Sequence, residues 1–240
     1  MIFSTETKVR DIVLSDPAAR RVLEEAGVDY CCGGGKSLRE ACLAAGAPAE
    51  EILKQLREHT GEACADDAHW NSARLCDLTA HICEKHHRYV REAIARIRPL
   101  LEKVKAKHGE NHRELAEIER LFLEVGGEML MHMQKEEQIL FPYIDAVEQA
   151  ASGGASLEPP FFQSVRNPIR MMMNEHDSAG DLVRQIRKAT VAYTPPADAC
   201  TSFTALYQEL RQFEADLHQH VHLENNILFP RAVEMEAAVV

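Results

Sequence analysis

Four long stretches of the chain carry apolar residues at alternating spacings of three and four, and each of these seams is broken by histidine or by histidine and glutamate. The first runs Cys76, Ala80, Cys83, His87, Val90, Ile94, Ile97, Leu101, Val104, and the second Leu115, Ile118, Phe122, Val125, Met129, His132, Glu136, Ile139, Tyr143, Ala146. The third runs Ile169, Met172, His176, Ala179, Val183, Ile186, and the fourth Phe203, Leu206, Leu210, Phe213, Leu217, His220, Glu224, Ile227. Such spacing lines one face of an α-helix. It predicts helices over roughly 72–108, 111–150, 160–190 and 197–237, ended by His108-Gly109, by Ser152-Gly153-Gly154 with Pro159-Pro160, and by Thr194-Pro195-Pro196. No stretch alternates with the period of two that a strand needs. Four long helices with short connections imply an all-α, up-down-up-down four-helix bundle. Pro99, Pro142 and Pro230 fall inside the helical patterns, so a kink is expected near Pro99 and kinks or ends after Phe141-Pro142 and Phe229-Pro230.

The start of the chain has a different grain. Ser15-Asp16-Pro17 opens a short helix that carries Val22 and Leu23 and stops at Gly27, Ser37 caps another through Ala45, and Pro48 opens a third with Ile52, Leu53 and Leu56. A small helical domain is expected over 1–65 and the bundle over 66–240, with the polar stretch Thr60 to Ala68 as linker. So short a unit has little core of its own and is expected to pack loosely or to dock.

The polar seam positions carry the chemistry. His132 to Pro142 and His220 to Pro230 share one pattern, His-x-x-x-Glu followed by Ile-Leu-Phe-Pro. A His and a Glu four residues apart lie on one helix face, about 6 Å apart along the axis, and can reach one object. On a buried seam the carboxylate is costly unless a cation answers it. His87 precedes His132 by 45 residues and His176 precedes His220 by 44, so each half of the bundle supplies one lone His and one His-x-x-x-Glu. Four imidazoles and two carboxylates are more than a tetrahedral zinc takes. His87, His132, Glu136, His176, His220 and Glu224 suit two metal ions instead. If both carboxylates bridge, the protein fills about eight of the roughly twelve positions of two octahedral ions, leaving room for an oxo or hydroxo bridge, water or substrate. Mixed nitrogen and oxygen donors with open positions favour non-haem iron over manganese. His81, His86, His108, His112, His218 and His222 lie off the seams and read as surface or supporting residues. Glu137 reads as a solvated neighbour able to orient a ligand, and Met171-Met172-Met173 as flexible core filling.

Composition narrows the partners. The chain is 45% hydrophobic, ample for a packed core, and its formal net charge is -11 with Lys and Arg dispersed among acidic residues, which argues against nucleic acid or anionic lipid. No run approaches the length of a membrane span, and Met1 to Arg10 lacks the apolar core of a secretory signal, so a cytoplasmic protein with no membrane partner is expected. Seven cysteines without framework spacing should be reduced, and Cys76 and Cys83 read as packing residues.

Asp29-Tyr30-Cys31-Cys32-Gly33-Gly34, Lys135 to Pro142 and Leu223 to Pro230 resemble the iron-sulfur cluster repair di-iron proteins, a bacterial family with an amino-terminal double-cysteine domain and a hemerythrin-like bundle. The resemblance covers essentially the full length. It implies two iron ions at the six residues above and a role in restoring iron-sulfur proteins after nitric oxide or oxidant damage, by iron donation or by nitric oxide reduction. Damaged iron-sulfur proteins, nitric oxide and oxygen are the implied partners. Adjacent cysteines favour the thiol state, and thiols ahead of the Ser37 cap are expected to have lowered pKa values. Cys31 and Cys32 are then candidates for iron or redox transfer. A hemerythrin-like oxygen or nitric oxide sensor and a ferritin-like iron oxidase are the competing readings.

Overall fold

A computed structural model of the chain describes residues 3–58, 69–153, 157–158 and 160–239. The expected linker Thr60 to Ala68, with Cys64 and the boundary at 65, lies outside the described residues.

Among the described residues four short helices come first: α1 (Val9–Ser15), α2 (Ala19–Glu25), α3 (Leu38–Ala45) and α4 (Ala49–Glu58). A capping box starts α3, where Ser37 Oγ accepts from the Glu40 N–H and the Glu40 carboxylate accepts from the Ser37 N–H at 2.8 Å. The same helix stops at Gly46, whose φ of 68° is a left-handed conformation that glycine adopts without steric cost. Ile12, Leu23, Leu38, Leu53 and Leu56 form an apolar centre continuous with that of the bundle, so the small unit docks.

Four long helices follow: α5 (75–108), α6 (114–151), α7 (166–189) and α8 (201–239). Each packs on the next and α8 returns against α5, which closes an up-down-up-down bundle. Among the described residues there is no strand, only an isolated bridge between Lys8 and Ser37.

Three of the four long helices are interrupted by π-helical turns. These are Ile82–His87 in α5, Glu136–Leu140 in α6 and Leu223–Leu228 in α8, whereas α7 is regular throughout. A π-turn inserts one extra residue and moves the buried face on by one position. Beyond Glu136 the buried positions are therefore Leu140, Ile144 and Val147, while Ile139 is 39% exposed and Tyr143 and Ala146 are half-buried. Ahead of His87 they are Leu75, Leu78 and Ile82. The expected Cys76 and Cys83 are only half-buried and Ala80 is exposed. In α7, with no inserted residue, the whole seam from Ile169 to Ile186 is buried as the spacing predicts. Pro142 and Pro230 sit directly after π-turns, where the widened ladder accommodates a residue with no N–H, and the helices continue past them. Helix α5 runs unbroken through Pro99.

Two buried carboxylates close helix starts in a way no local motif announces. Glu148 accepts from the N–H groups of Leu75 at 2.7 Å and Cys76 at 3.0 Å, and Glu236 accepts from the Val165 N–H at 2.8 Å and from the Ser164 and Tyr143 hydroxyls. Each answers donors that the first turn of a helix leaves unpaired. The polar seam residues divide the interior into two apolar clusters. Val90, Met129, Ala179 and Leu217 lie on one side and Ile82, Leu140, Met172 and Ile227 on the other.

Candidate metal centre

All six seam residues meet in the layer between those clusters, none more than 1% exposed. His87 Nε2 lies 3.4 Å from Glu136 Oε2, and His132 Nε2 lies 3.3 Å from Glu136 Oε1. On α8 the arrangement repeats: His220 Nε2 is 2.9 Å from Glu224 Oε1 and His176 Nε2 is 3.0 Å from Glu224 Oε2. Each carboxylate thus turns one oxygen to each of two histidines. The donor atoms of His87, Glu136, His220 and Glu224 lie within 4.8 Å of one another, and so do those of His132, Glu136, His176 and Glu224. The result is two four-donor groups that share both glutamates. The π-turns frame this layer, ending on His87 in α5 and enclosing Glu136 and Glu224 in α6 and α8.

Burial alone would raise the pKa values of Glu136 and Glu224 and lower those of His132 and His220. The facing opposite charges outweigh it: both glutamates are held below the usual carboxylate range, His220 is raised, and His132 is pushed up to about 10. The layer calls for positive charge at its centre. Both Glu136 oxygens, Glu224 Oε2 and His87 Nε2 are buried without a hydrogen-bond partner among the described residues. Buried polar atoms are almost always satisfied, so convergent orphans of this kind fit metal cations.

The outward nitrogens are held in their turn. His87 Nδ1 meets Glu137 at 2.7 Å, and Arg91 grips the same carboxylate at 2.8 and 2.9 Å, so the half-buried Glu137 orients a ring. His132 Nδ1 meets Glu175 at 2.9 Å, itself paired with Lys135, and His176 Nδ1 meets Asn225 Oδ1 at 2.9 Å. Partners at this nitrogen fix the tautomer and raise ligand basicity. Phe141 and Phe229, from the two Phe-Pro pairs, lie parallel to the His87 and His176 rings. His86 and His222 are fully buried; His86 Nδ1 meets Asp216 at 2.9 Å and His222 Nδ1 accepts from Asn226 at 2.9 Å. Cys83 approaches His87 and Glu137, but burial pushes its thiol up to about 12, and the His87 Nδ1 it faces is already engaged. Glu175 and Asn225 lie one position off the core seams, so apolar spacing does not point to them, although Asn225 is itself buried. A signal for Asn225 exists in the repeat, since Asn225 follows Glu224 as Glu137 follows Glu136.

The double-cysteine loop abuts this layer. Asn225 Nδ2 donates to the Cys31 carbonyl at 3.3 Å and Asn226 Nδ2 to the Tyr30 carbonyl at 3.1 Å. A Cβ on Gly34 would come within 2.8 Å of Asn226 Oδ1, so only glycine permits the approach. Cys31 and Cys32 are thiols with sulfurs 3.9 Å apart, and with Asp29 they form a third donor group. The expected lowering of the thiol pKa is overturned at Cys31. Its hydrogen bond with Cys32, burial and the Asp29 carboxylate push it well above the usual thiol range. The N–H groups of Cys31 and Cys32 point at Asp29 Oδ1, at 3.0 and 2.9 Å, and so do not stabilise a thiolate.

Residues 78–232 match the Hemerythrin HHE cation binding domain, and residues 5–60 match a domain of unknown function, DUF542. A probable iron-sulfur cluster repair protein of Haemophilus influenzae is 36% identical over 233 residues, covering 95% of this chain and 97% of the relative. The iron-sulfur cluster repair protein YtfE of Enterobacter sp. is 33% identical over 226 residues, 94% of this chain and 96% of the relative. YtfE of Musicola paradisiaca is 33% identical over 236 residues, 97% of this chain and 98% of the relative. Matched end to end by these relatives, and carrying a cation-binding bundle behind a double-cysteine unit, the chain belongs to the iron-sulfur cluster repair protein family.

Proposed function

We propose that the protein repairs iron-sulfur clusters damaged by nitric oxide or oxidants by holding two iron ions at His87, His132, Glu136, His176, His220 and Glu224 and giving up iron to the damaged protein. The observation that carries this reading is the sharing of both glutamates between two four-donor groups. Four nitrogens and four oxygens answer about eight of the roughly twelve positions that two octahedral ions offer, so both ions stay open to a small ligand, an oxo or hydroxo bridge, or an acceptor's donors. Bound iron would supply redox chemistry toward nitric oxide or oxygen and, as cargo, the metal that a damaged cluster lacks. The chain's own residues hold it: Glu136 and Glu224 span both positions, Glu137 and Glu175 fix two of the rings, and the flanking apolar clusters exclude bulk water. The relatives matched over almost the whole chain, iron-sulfur cluster repair proteins by name, support the same reading.

In this proposal residues 66–240 hold the iron and residues 1–65 hand it on through Cys31 and Cys32. Cys32 lies beside Gly180, one turn along α7 from His176, where a Cβ on that glycine would stand 3.7 Å from the sulfur. Cys31 must lose its proton to act as a ligand, so transfer requires the loop to leave its burial beside Asp29. The cysteines among the described residues are all free thiols, which suits the reducing cytoplasm. Among the described residues no helix is long and apolar enough to cross a membrane.

The test is to load the full chain with iron anaerobically and mix it with an iron-sulfur enzyme inactivated by nitric oxide. Reactivation with matching loss of bundle iron supports donation, reactivation at constant bundle iron shifts the role to electron delivery, and no reactivation overturns the reading. A sensing role is the second reading, favoured by the single side chain, Asn225, that joins Cys31 to His176. It requires nitric oxide binding to move the small unit with no loss of iron.

A further inference from the structure

The two halves of the bundle are unequal around the metal layer. Aligned on their lone histidines, His86 on α5 corresponds to Glu175 on α7, each directly ahead of a ligand. Glu175 reaches the neighbouring helix and binds His132 Nδ1 at 2.9 Å. By the same geometry His86 should serve His220 on α8. It does not. The His86 ring lies parallel to the His220 ring, with centroids 5.6 Å apart and planes within 8°, and its Nδ1 is turned toward Asp216. His220 Nδ1 is fully buried and has no hydrogen-bond partner among the described residues, and the same is true of His86 Nε2.

The consequence falls on one position only. The His132 and His176 position has both rings anchored at Nδ1, by Glu175 and by Asn225. At the His87 and His220 position Glu137 anchors the first ring at Nδ1, while the second has no partner at Nδ1 among the described residues and is held on that side by stacking against His86. A partner at the outer nitrogen fixes the ring and strengthens the ligand, and removing one typically costs 10- to 100-fold in metal affinity.

We propose that the two metal positions are inequivalent by construction, that the ion between His87 and His220 is the one released, and that His86 is the positioning residue that sets its lability. This rests on the two-ion reading above. Release is ligand exchange without electron transfer: the bonds from His87, His220 and one oxygen of each glutamate break, and the acceptor's donors replace them.

The experiment uses the full chain loaded anaerobically with ferrous iron and challenged with excess ferrous chelator, with release followed over time. Two phases of equal amplitude are expected. His86→Gln offers Asp216 a donor and His220 an acceptor, and should slow the fast phase at least tenfold while leaving the slow phase alone. Glu175→Ala should accelerate the slow phase until the two merge. His86→Glu combined with Asp216→Asn provides an independent route to the same acceptor should the glutamine variant fail to fold. Refilling a half-depleted sample with iron-57 should give a single Mössbauer doublet. One phase carrying both ions in the unaltered protein would overturn the proposal, as would a fast phase indifferent to both His86 variants in folded protein. Biphasic release without reactivation of a damaged enzyme would leave this inference standing and remove the repair reading.

Discussion

Asn225 Oδ1 stands 2.9 Å from His176 Nδ1 while the Nδ2 of the same amide donates to the Cys31 carbonyl at 3.3 Å. The two bonds fix which way the amide faces, because only its oxygen can accept from the ring and only its nitrogen can donate to the carbonyl. One side chain therefore ties the double-cysteine loop to a ligand of the metal layer. Asn225→Ala should weaken iron binding at the His132 and His176 position about 10- to 100-fold. Asn225→Asp keeps the acceptor but loses the donor, so it should retain iron while the Cys31 segment exchanges its amide hydrogens faster. Chelator competition and hydrogen exchange read the two effects separately.

Glu148 secures the start of α5 from a distance of more than seventy residues in sequence, through the N–H groups of Leu75 and Cys76. Glu148→Ala should lower the unfolding free energy by about 1–3 kcal/mol, measured by urea denaturation. Burial works to raise its pKa, but the two N–H donors prevail and hold it below the usual carboxylate value. Its contribution is therefore complete above the unfolded-state pKa and is lost as pH falls through the depressed folded value. The stability gap between the variant and the unaltered protein should shrink with acidification, and a gap that widens would be the wrong sign.

Cys200 precedes α8, where the Phe203 N–H and His108 Nε2, the latter at 3.2 Å, bring its thiol down to about 7. Burial, aided by Glu148, instead pushes Cys76 up to about 11. Iodoacetamide should label Cys200 with a midpoint near neutral pH and Cys76 only in alkaline solution, as followed by peptide mass spectrometry. His108→Ala should move the Cys200 midpoint upward.

Much of this architecture is legible from spacing alone, and the exceptions have two main causes. The period of three and four found all six inward polar residues, because a histidine and a glutamate four apart keep one face whether or not a wider turn follows. It misplaces Ile139 and Cys83, which lie within π-turns, and Cys76, which lies beyond one. In α7, where no turn intervenes, the reading held to Ile186. His86 and His222, expected as surface or supporting residues, are buried supporting ones. Apolar spacing shows one face of a helix and not what covers the other: the docked loop at Tyr30 packs on His222 in α8, and α8 itself packs on His86 in α5. Asn225 shows the same limit, since its role depends on a partner almost two hundred residues away.

Glu136 contributes to both donor groups and His220 to only one. Iron analysis of anaerobically loaded variants should follow that difference: His220→Ala should retain about one ion per chain and Glu136→Ala less than one. Equal retention by the two variants would mean that Glu136 does not bridge.

The most direct measurement is anomalous diffraction at the iron absorption edge from crystals of the iron-loaded chain. The account predicts two peaks within the bundle, one among His87, Glu136, His220 and Glu224 and the other among His132, Glu136, His176 and Glu224. A single peak there, or iron found only at Asp29, Cys31 and Cys32, would contradict it.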